Sequence, residues 1–385
     1  MRIFAVDNAH LESEFLLLPT KIYQGDPHWI RPWDHDISDP FNPTKNKLLR
    51  RGAKAQRWLL YNDHNECIGR IAAFTKAADA QKEKIGGIGF FECINQQSAA
   101  NLLFDTAKAW LIEQGMETMD GPINFGDRDK WWGLLIDGYE APTYGMNYNL
   151  PYYQTLFENY GFGNYFEQYV YRYYIDQELP QKFVEKAERL INNPDIQFKH
   201  LNKKQIDDYT RYFMEVYNAA WGRNHVGFTP ITLEQAQGMM KMLKPIMDER
   251  LMWFGFYQNK PISFFISLPE INQIIRSLHG KFGWYEKLKF IFLLKIARRV
   301  TKIYGIIFGV IPEFQGKGIE GGMIRAAERA IQETQYTELQ MNWIGSFNPK
   351  MMAIAEGLQA KICKTLVTYR YHFDRTKPFE KHPFI

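Results

Sequence analysis

Long apolar runs are missing from this sequence. A membrane-spanning helix needs about 18 consecutive apolar residues, and the richest cluster, FIFLL (Phe290 to Leu294), is far shorter. The opening stretch MRIFAVDNAHLESEF has no apolar core of the kind a secretory signal uses, so a cytoplasmic location is expected. Cysteine is scarce. Cys67, Cys93 and Cys363 share no metal or redox spacing and read as buried thiols in a reducing compartment. A large charge of one sign is also lacking: the net charge is +4, too small for a general nucleic-acid binder. No His, Cys, Asp and Glu group has metal-ligand spacing, HDISD (His35 to Asp39) being the nearest, so no metal is expected. The nucleophile elbow G-x-S-x-G does not occur.

What is present is a globular composition of ordinary two-domain length. The 385 residues are 45% apolar and 23% charged, and a high 16% are aromatic, enough for large packed cores. Hydrophobic period and turn residues give the same order of elements twice. In the first half a hairpin (RWLLYNDHNECIGRIAAFTK) precedes a strand (IGGIGFFECI) and a helix (SAANLLFDTAKAWLIEQG). A strand (METMDGPIN), a helix (LPYYQTLFENYG) and an aromatic strand (FEQYVYRYYI) follow. In the second half the same places are taken by RLMWFGFYQNKPISFFISLP, KIYGIIFGVI, EGGMIRAAERAIQETQ, TELQMNWI, PKMMAIAEGLQA and ICKTLVTYRYHF. This is an internal duplication with a period of roughly 190 residues. The boundary is expected between Asp176 and Asn193, giving domains 1–178 and 179–385; one mixed domain is the alternative.

The sharpest chemical signal is VIPEFQGKGIEGGMIRAAERAI (Val310 to Ile331), a strand, a glycine loop and a helix. A helix N-terminus exposes unpaired N–H groups and partial positive charge. Gly316 and Gly318 let the backbone approach an anion closely, and Lys317 adds a mobile cation. The loop is neither a Walker loop nor a dinucleotide fingerprint, because GxxxxGK[ST] and an in-frame GxGxxG are absent. On its own it reads equally well as a plain strand-to-helix turn.

Together with the element order, this loop resembles the GNAT superfamily of acyl-CoA-dependent N-acyltransferases, whose shared loop reads Gln/Arg-x-x-Gly-x-Gly/Ala. Here Gln315 and Gly318 match, and Glu320 departs from the last position. The resemblance implies an α/β fold of the α+β mixed-sheet kind, with two GNAT-like domains in tandem. It implies acetyl-CoA or another acyl-CoA as co-substrate. Its pyrophosphate would lie on Gln315, Gly316, Lys317, Gly318 and Ile319, and its thioester beside Val310 and Ile311. A second family feature is an Asn-led helix ending in Tyr-x-x-x-Gly-Phe. The first half keeps Asn149, Gly161 and Phe162 but has Phe157 at the Tyr place; the second keeps Asn348 but has Ala355 there. The first half has no glycine loop, so it reads as a degenerate copy that walls the acceptor site of the second. Asn348 is expected near the pantetheine or the neighbouring strand.

An amine acceptor, small molecule or peptide, needs an acid and a base. The candidates are Glu270 in SLPEINQ, Glu313, and Tyr369 or Tyr371 on the last strand, with His279 a weaker choice; each also reads as an ordinary loop acid, loop histidine or core tyrosine. The loop GPINFGDRDKWWGLLIDGYEAP, with Asp127, Arg128, Asp129, Lys130, Trp131 and Trp132, either reaches the acceptor groove or is tied down by its own ion pairs and buried tryptophans. An insertion, WYEKLKFIFLLKIARRVTK (284–302), reads as a basic amphipathic helix. It would touch an anionic membrane or simply pack its apolar face on the domain. The expected activity is direct acyl transfer, most simply of acetyl, from CoA thioester to an amine. The rivals are an inactive binding protein of the same fold and a lipid or aminoacyl transferase at a membrane surface.

Overall fold

The computed structural model describes residues 1–76, 84–126, 132–222 and 230–384. The first half runs β1 (Arg2–Ala5), α1 (Ala9–Ile22), two short helices α2 (Asp34–Ser38) and α3 (Lys47–Arg50), then the hairpin β2 (Ala55–Tyr61) and β3 (Cys67–Phe74). It continues with β4 (Ile85–Cys93), α4 (Gln97–Glu113), β5 (Thr118–Gly121), β6 (Leu134–Asp137), α5 (Tyr153–Tyr160) and β7 (Gly163–Tyr174). The second half runs α6 (Gln181–Ile191), β8 (Ile196–His200), α7 (Ile206–Gly222), α8 (Leu233–Leu243) and the hairpin β9 (Met252–Tyr257) and β10 (Lys260–Pro269). Then come α9 (Asn272–Ile275), α10 (Trp284–Ile291), β11 (Lys302–Val310), α11 (Ile319–Ile331), β12 (Glu338–Gly345), α12 (Pro349–Gly357) and β13 (Lys361–His372).

Local chemistry accounts for many of these boundaries. Asn8 caps α1 by accepting from the Leu11 amide at 3.1 Å. Thr232 and Gln235 form a reciprocal capping box on α8. Helix α5 stops at Gly161, whose φ of +102° is a left-handed conformation that suits glycine.

The strands form one continuous mixed sheet in the order β1-β2-β3-β4-β5-β13-β7-β12-β11-β10-β9-β8, with β6 also pairing β13. The order repeats outward from the central β13–β7 pair, as the duplication requires. The last strand of each half is exchanged. β7, from the first half, pairs β12 over Glu338↔Tyr174 to Gly345↔Gln168. β13, from the second half, pairs β5 over Tyr369↔Gly121 to His372↔Thr118. Core packing follows the exchange. Val367, Tyr369 and Tyr371 of β13 lie in the first-half core with Phe104 and Phe157, while Tyr171 and Tyr173 of β7 pack with Ala355 and Leu358 around α12. Arg370 of β13 and Asp120 of β5 seal the seam through two hydrogen bonds of 2.7 and 2.8 Å. The sheet itself runs unbroken from the strands of the first half into those of the second.

The stretch 176–193 carries α6, whose Glu188 pairs with Arg325 and Arg329 of α11. Its apolar spacing, Phe183, Val184, Ala187 and Leu190, is helical and was legible in the sequence. The insertion is helical only over α10 and a following π-turn (Phe292–Ile296), because β11 already begins at Lys302.

Candidate active site

Strands β11 and β12 run parallel and are paired only from Lys302↔Glu338 to Gly305↔Met341. Beyond that point they part. β11 stays on β10 as far as Val310, and β12 stays on β7 as far as Gly345. A bulge marks the parting: Ile266 faces Ile307 and Ser267 faces Gly305, so Ile306 is the extra residue on β11. The Ile311 amide donates to Ile262 of β10 at 2.9 Å. Antiparallel alternation therefore turns the backbone groups of Phe308 and Val310 toward the opened side. The Val310 carbonyl is met there by Gln315 Nε2 at 3.0 Å. In a sheet whose centre is otherwise buried, Ile306 is 39% exposed, and Ile307 and Phe308 are half-buried.

The glycine loop closes the far end of this groove. Gly316 and Gly318 have φ of +71° and +79°, which disfavour any side chain. Gly318 is the N-cap of α11 and supplies no side chain to its first turn. A Cβ at Gly316 would meet nothing within 4 Å, and one at Gly318 would meet Leu190 of α6 at 3.2 Å. The first-turn amides of α11 thus lie beneath an open glycine surface, which fits a pyrophosphate. Lys317 sits 5.0 Å over the Phe314 ring at the same end. Ile319 is buried with Val310, Ile196 and Ile262, and anchors the helix start. Glu320 is half-buried in the first turn, where a carboxylate also complements the helix dipole.

At the opposite end, where β11 and β12 are paired, one sheet face carries a buried polar layer. Glu338 takes Arg172 Nε at 3.1 Å, Lys302 Nζ at 2.9 Å and Gln340 Nε2 at 2.7 Å. The fully buried Lys364 of β13 donates to Gln340 Oε1 at 3.2 Å, and burial lowers its pKa. A first-half segment covers this layer. Tyr144 N donates to Glu270 Oε1 at 2.9 Å, Asn272 Nδ2 to the Pro142 carbonyl at 2.9 Å, and Asn342 Nδ2 to Thr143 Oγ1 at 2.6 Å. Asn342 is the first residue of β12 after the parting. Its Oδ1 is buried with no hydrogen-bond partner among the described residues, as is Ser267 Oγ beside the bulge.

The structure sorts the sequence candidates. Glu270 is 5% exposed at the end of β10, beside Lys302 and Tyr304. Burial pushes its carboxyl up to about 7, against the Asn272 and Tyr144 amides and the positive charges of Lys364 and Lys302. Burial, and then Glu270, raise the Tyr304 phenol. Glu313 is exposed in the turn before the glycine loop. Tyr369 is not part of this site: the strand exchange puts it in the first-half core, 2% exposed, donating to Glu158 at 2.8 Å. Tyr371 is in the same core, and His279 is an exposed residue after α9. Ile311 spends its amide on β10, so of the two expected strand residues only Val310 turns its backbone to the groove. Asn348 caps α12 by accepting from Met351 N at 3.2 Å. Trp132 is buried with Leu135, Met146 and Leu366, whereas residues 127–131 lie outside the described residues. Ile306, Phe308, Asn342 and Tyr304 went unnoticed in the sequence, since nothing local marks where two strands part.

The equivalent parting in the first half is filled. β4 and β5 pair from Ile85↔Thr118 to Gly87↔Asp120. The chain after β5 then stays against β4, with Ile123 N donating to the Ile88 carbonyl at 2.8 Å. A Cβ at Gly89 would lie 1.8 Å from the Ile123 carbonyl oxygen, so no groove remains.

No family model matches the chain. Over 368 residues it is 26% identical to a bacterial ceramide synthase of Caulobacter vibrioides, covering 93% of this chain and 94% of that protein. Over 371 residues it is 24% identical to Protein YghO of Escherichia coli, covering 92% of this chain and 91% of that protein. Among solved structures, a tandem GNAT protein from the clavulanic acid biosynthesis pathway aligns with a TM-score of 0.56 at 9% identity, over 98% of this chain and 99% of that one. A GCN5-related glucosamine N-acetyltransferase region of a fungal multi-domain β-N-acetylglucosaminidase aligns with a TM-score of 0.55 at 12% identity, over 96% of this chain and 38% of that one. The fold is that of two GNAT domains in tandem, and the likenesses together support acyltransferase chemistry.

Proposed function

We propose that this protein is an acyl-CoA-dependent N-acyltransferase that joins a long-chain acyl group to the amine of a long-chain amino alcohol. The observation that carries the reading is the groove between β11 and β12, which ends on the glycine-capped N-terminus of α11. The pyrophosphate of the donor rests on the amides of Gly318, Ile319 and the residues that follow. Its extended arm pairs with the turned-out backbone of Val310 and Phe308, which brings the thioester toward the bulge at Ile306. From Val310 to Ile306 the strand rises roughly 13 Å. The long acyl preference rests on the exposed apolar edge at Ile306 and on the full-length similarity to a ceramide synthase, whose name implies N-acylation of a long-chain amino alcohol. Acetyl transfer is the shorter-donor alternative.

The chemistry is direct. Glu270 takes the proton of the incoming ammonium, its raised carboxyl pKa being suited to that exchange near neutral pH. The amine nitrogen attacks the thioester carbon, and a backbone amide at the β11 edge donates to the developing oxyanion. The C–S bond then breaks, the thiolate leaves and takes up a proton, and the amide product forms. Asn342, whose buried Oδ1 has no partner among the described residues, orients the acceptor amine. The first half contributes the covering segment with Pro142, Thr143 and Tyr144, and its own groove is closed.

The test is calorimetric titration of palmitoyl-CoA and of acetyl-CoA into the protein and into Gly318→Val, followed by thiol release with sphinganine as acceptor. Saturable palmitoyl-CoA binding that weakens about a hundredfold in the variant, with amine-dependent thiol release, is expected, because a β-branched side chain at φ +79° would tilt the helix start and cover its amides. Tighter binding and turnover of acetyl-CoA would move the donor to acetyl. Binding without turnover on any amine would make the protein a non-catalytic acyl-CoA binder. No binding of either donor would sink the reading.

A further inference from the structure

The insertion before β11 divides its apolar residues between two destinations. Phe290 and Leu294 turn inward and pack against Trp33, Ile30 and Ile275. The other side faces outward: Trp284 is 76% exposed, Leu288 60%, Ile291 54%, Phe292 51% and Ile296 70%, with Tyr285 beside them. Residues 284, 288, 291 and 292 follow helical spacing, so these side chains form one stripe. Among the described residues, six of the eighteen exposed large apolar side chains fall within these thirteen positions. Lone exposed apolar residues are ordinary on a protein surface, but a contiguous rimmed stripe marks an interaction face.

The rim fixes the kind of partner. From Lys281 to Lys302 there are seven basic residues against Glu286 alone, a net of +6, while the whole chain carries only +4. The basic excess of the protein is therefore concentrated here, and the remainder is slightly acidic. Lys287, Lys295, Arg298 and Arg299 are exposed around the stripe. Lys295 also reaches the Met247 carbonyl at 3.3 Å, next to α8, whose Met242 is 75% exposed. Aromatic residues at one end, aliphatic residues behind them and flexible cations at the rim suit the boundary between headgroups and acyl chains. No helix among the described residues is long and apolar enough to cross a membrane, so the contact is one of lying on the surface.

We propose that the outer face of α10 and its π-turn docks the protein on an anionic lipid bilayer, with Trp284, Leu288, Phe292 and Ile296 in the interface and the surrounding lysines and arginines against the headgroups. The proposal rests on exposure and charge and does not depend on the acyl-transfer reading, and its test uses no donor or acceptor.

The experiment is flotation of the full chain with vesicles of phosphatidylcholine alone and of phosphatidylcholine with an equal part of phosphatidylglycerol. The protein is expected to float with the anionic vesicles and to lose affinity as salt rises. The double variant Trp284→Ser/Phe292→Ser should bind at least about tenfold more weakly. Arg298→Gln/Arg299→Gln should lose about fivefold per charge on anionic vesicles and little on neutral ones. All four positions are exposed, so both variants should keep the wild-type melting temperature. Failure of the wild type to float, or equal flotation of the double variant, would overturn the proposal. So would sedimentation showing a wild-type dimer that Trp284→Ser/Phe292→Ser dissociates, because the stripe would then belong to a second copy.

Discussion

Replacing Glu270 by Gln separates the cost of a buried carboxyl from its use. Glu270 is 5% exposed, and burial holds its carboxyl at about 7 against an ordinary value of 4.5. The folded protein therefore binds this proton more tightly than the unfolded chain does. The stabilisation from that proton is fully present below about 4.5 and is lost as pH rises through about 7. A difference of that size corresponds to about 3 kcal/mol at alkaline pH. Glutamine keeps an Oε1 acceptor for the Tyr144 and Asn272 amides, at 2.9 and 3.0 Å in the wild type, and never ionises. In urea unfolding, Glu270→Gln and wild type should be nearly equal at pH 5. By pH 8.5 the variant should be more stable by about 3 kcal/mol, with the gap opening across pH 5 to 8. Activity should move the other way. Wild-type kcat/KM should fall on the acid side of about 7, as the base takes up its proton, and the variant should lose about a hundredfold or more at every pH. A stability difference that stays constant from pH 5 to 8.5 would show that the carboxyl is not held protonated by its surroundings, and would refute the reasoning. A variant that is more stable but fully active would leave Glu270 as a structural acceptor and remove it from the mechanism.

Two further outcomes follow from the same geometry. Glu320→Gln removes a half-buried negative charge from the first turn of α11 and should tighten acyl-CoA binding roughly threefold to tenfold in calorimetry, more at low salt; unchanged affinity would mean that the side chain already points away from the pyrophosphate. Residues 1–178 expressed alone should be insoluble, because without β13 the first-half core loses Val367, Tyr369 and Tyr371 and β5 is left with an open edge, whereas co-expression with 179–385 should yield a soluble complex; a soluble, cooperatively melting 1–178 fragment would contradict the exchange.

The elements themselves were legible because periodicity and punctuation are local. The hairpin around NDHNE, the helix ending at Gly161 and the loop-to-helix junction at Gly318 all emerge where apolar spacing and glycine put them. The misses have physical reasons. The apolar spacing of α6 was present, but the stretch read only as the place of a boundary. The insertion read as one long helix, yet a π-turn and the start of β11 shorten it. Glu270 was picked out from its place after a strand, but its burial comes from Tyr144 and Asn272 folding over it, which no local pattern reports.

The duplicated order of strands and helices, the mixed α/β class and the glycine-capped start of α11 are local matters, since each depends on the hydrophobic period and backbone freedom of a few adjacent residues. Long-range packing settled the rest. It exchanged β7 and β13 between the halves, which moved Tyr369 away from the groove. It ended the β11–β12 pairing at Gly305 to open one groove, and kept the chain after β5 against β4 to close the other. It also sent Phe290 inward and left Trp284 and Phe292 outside. The reason is common to all of these: which strand an edge pairs with, and which side of an amphipathic helix is covered, depend on residues far away in the chain that compete for the same hydrogen bonds and the same apolar surface.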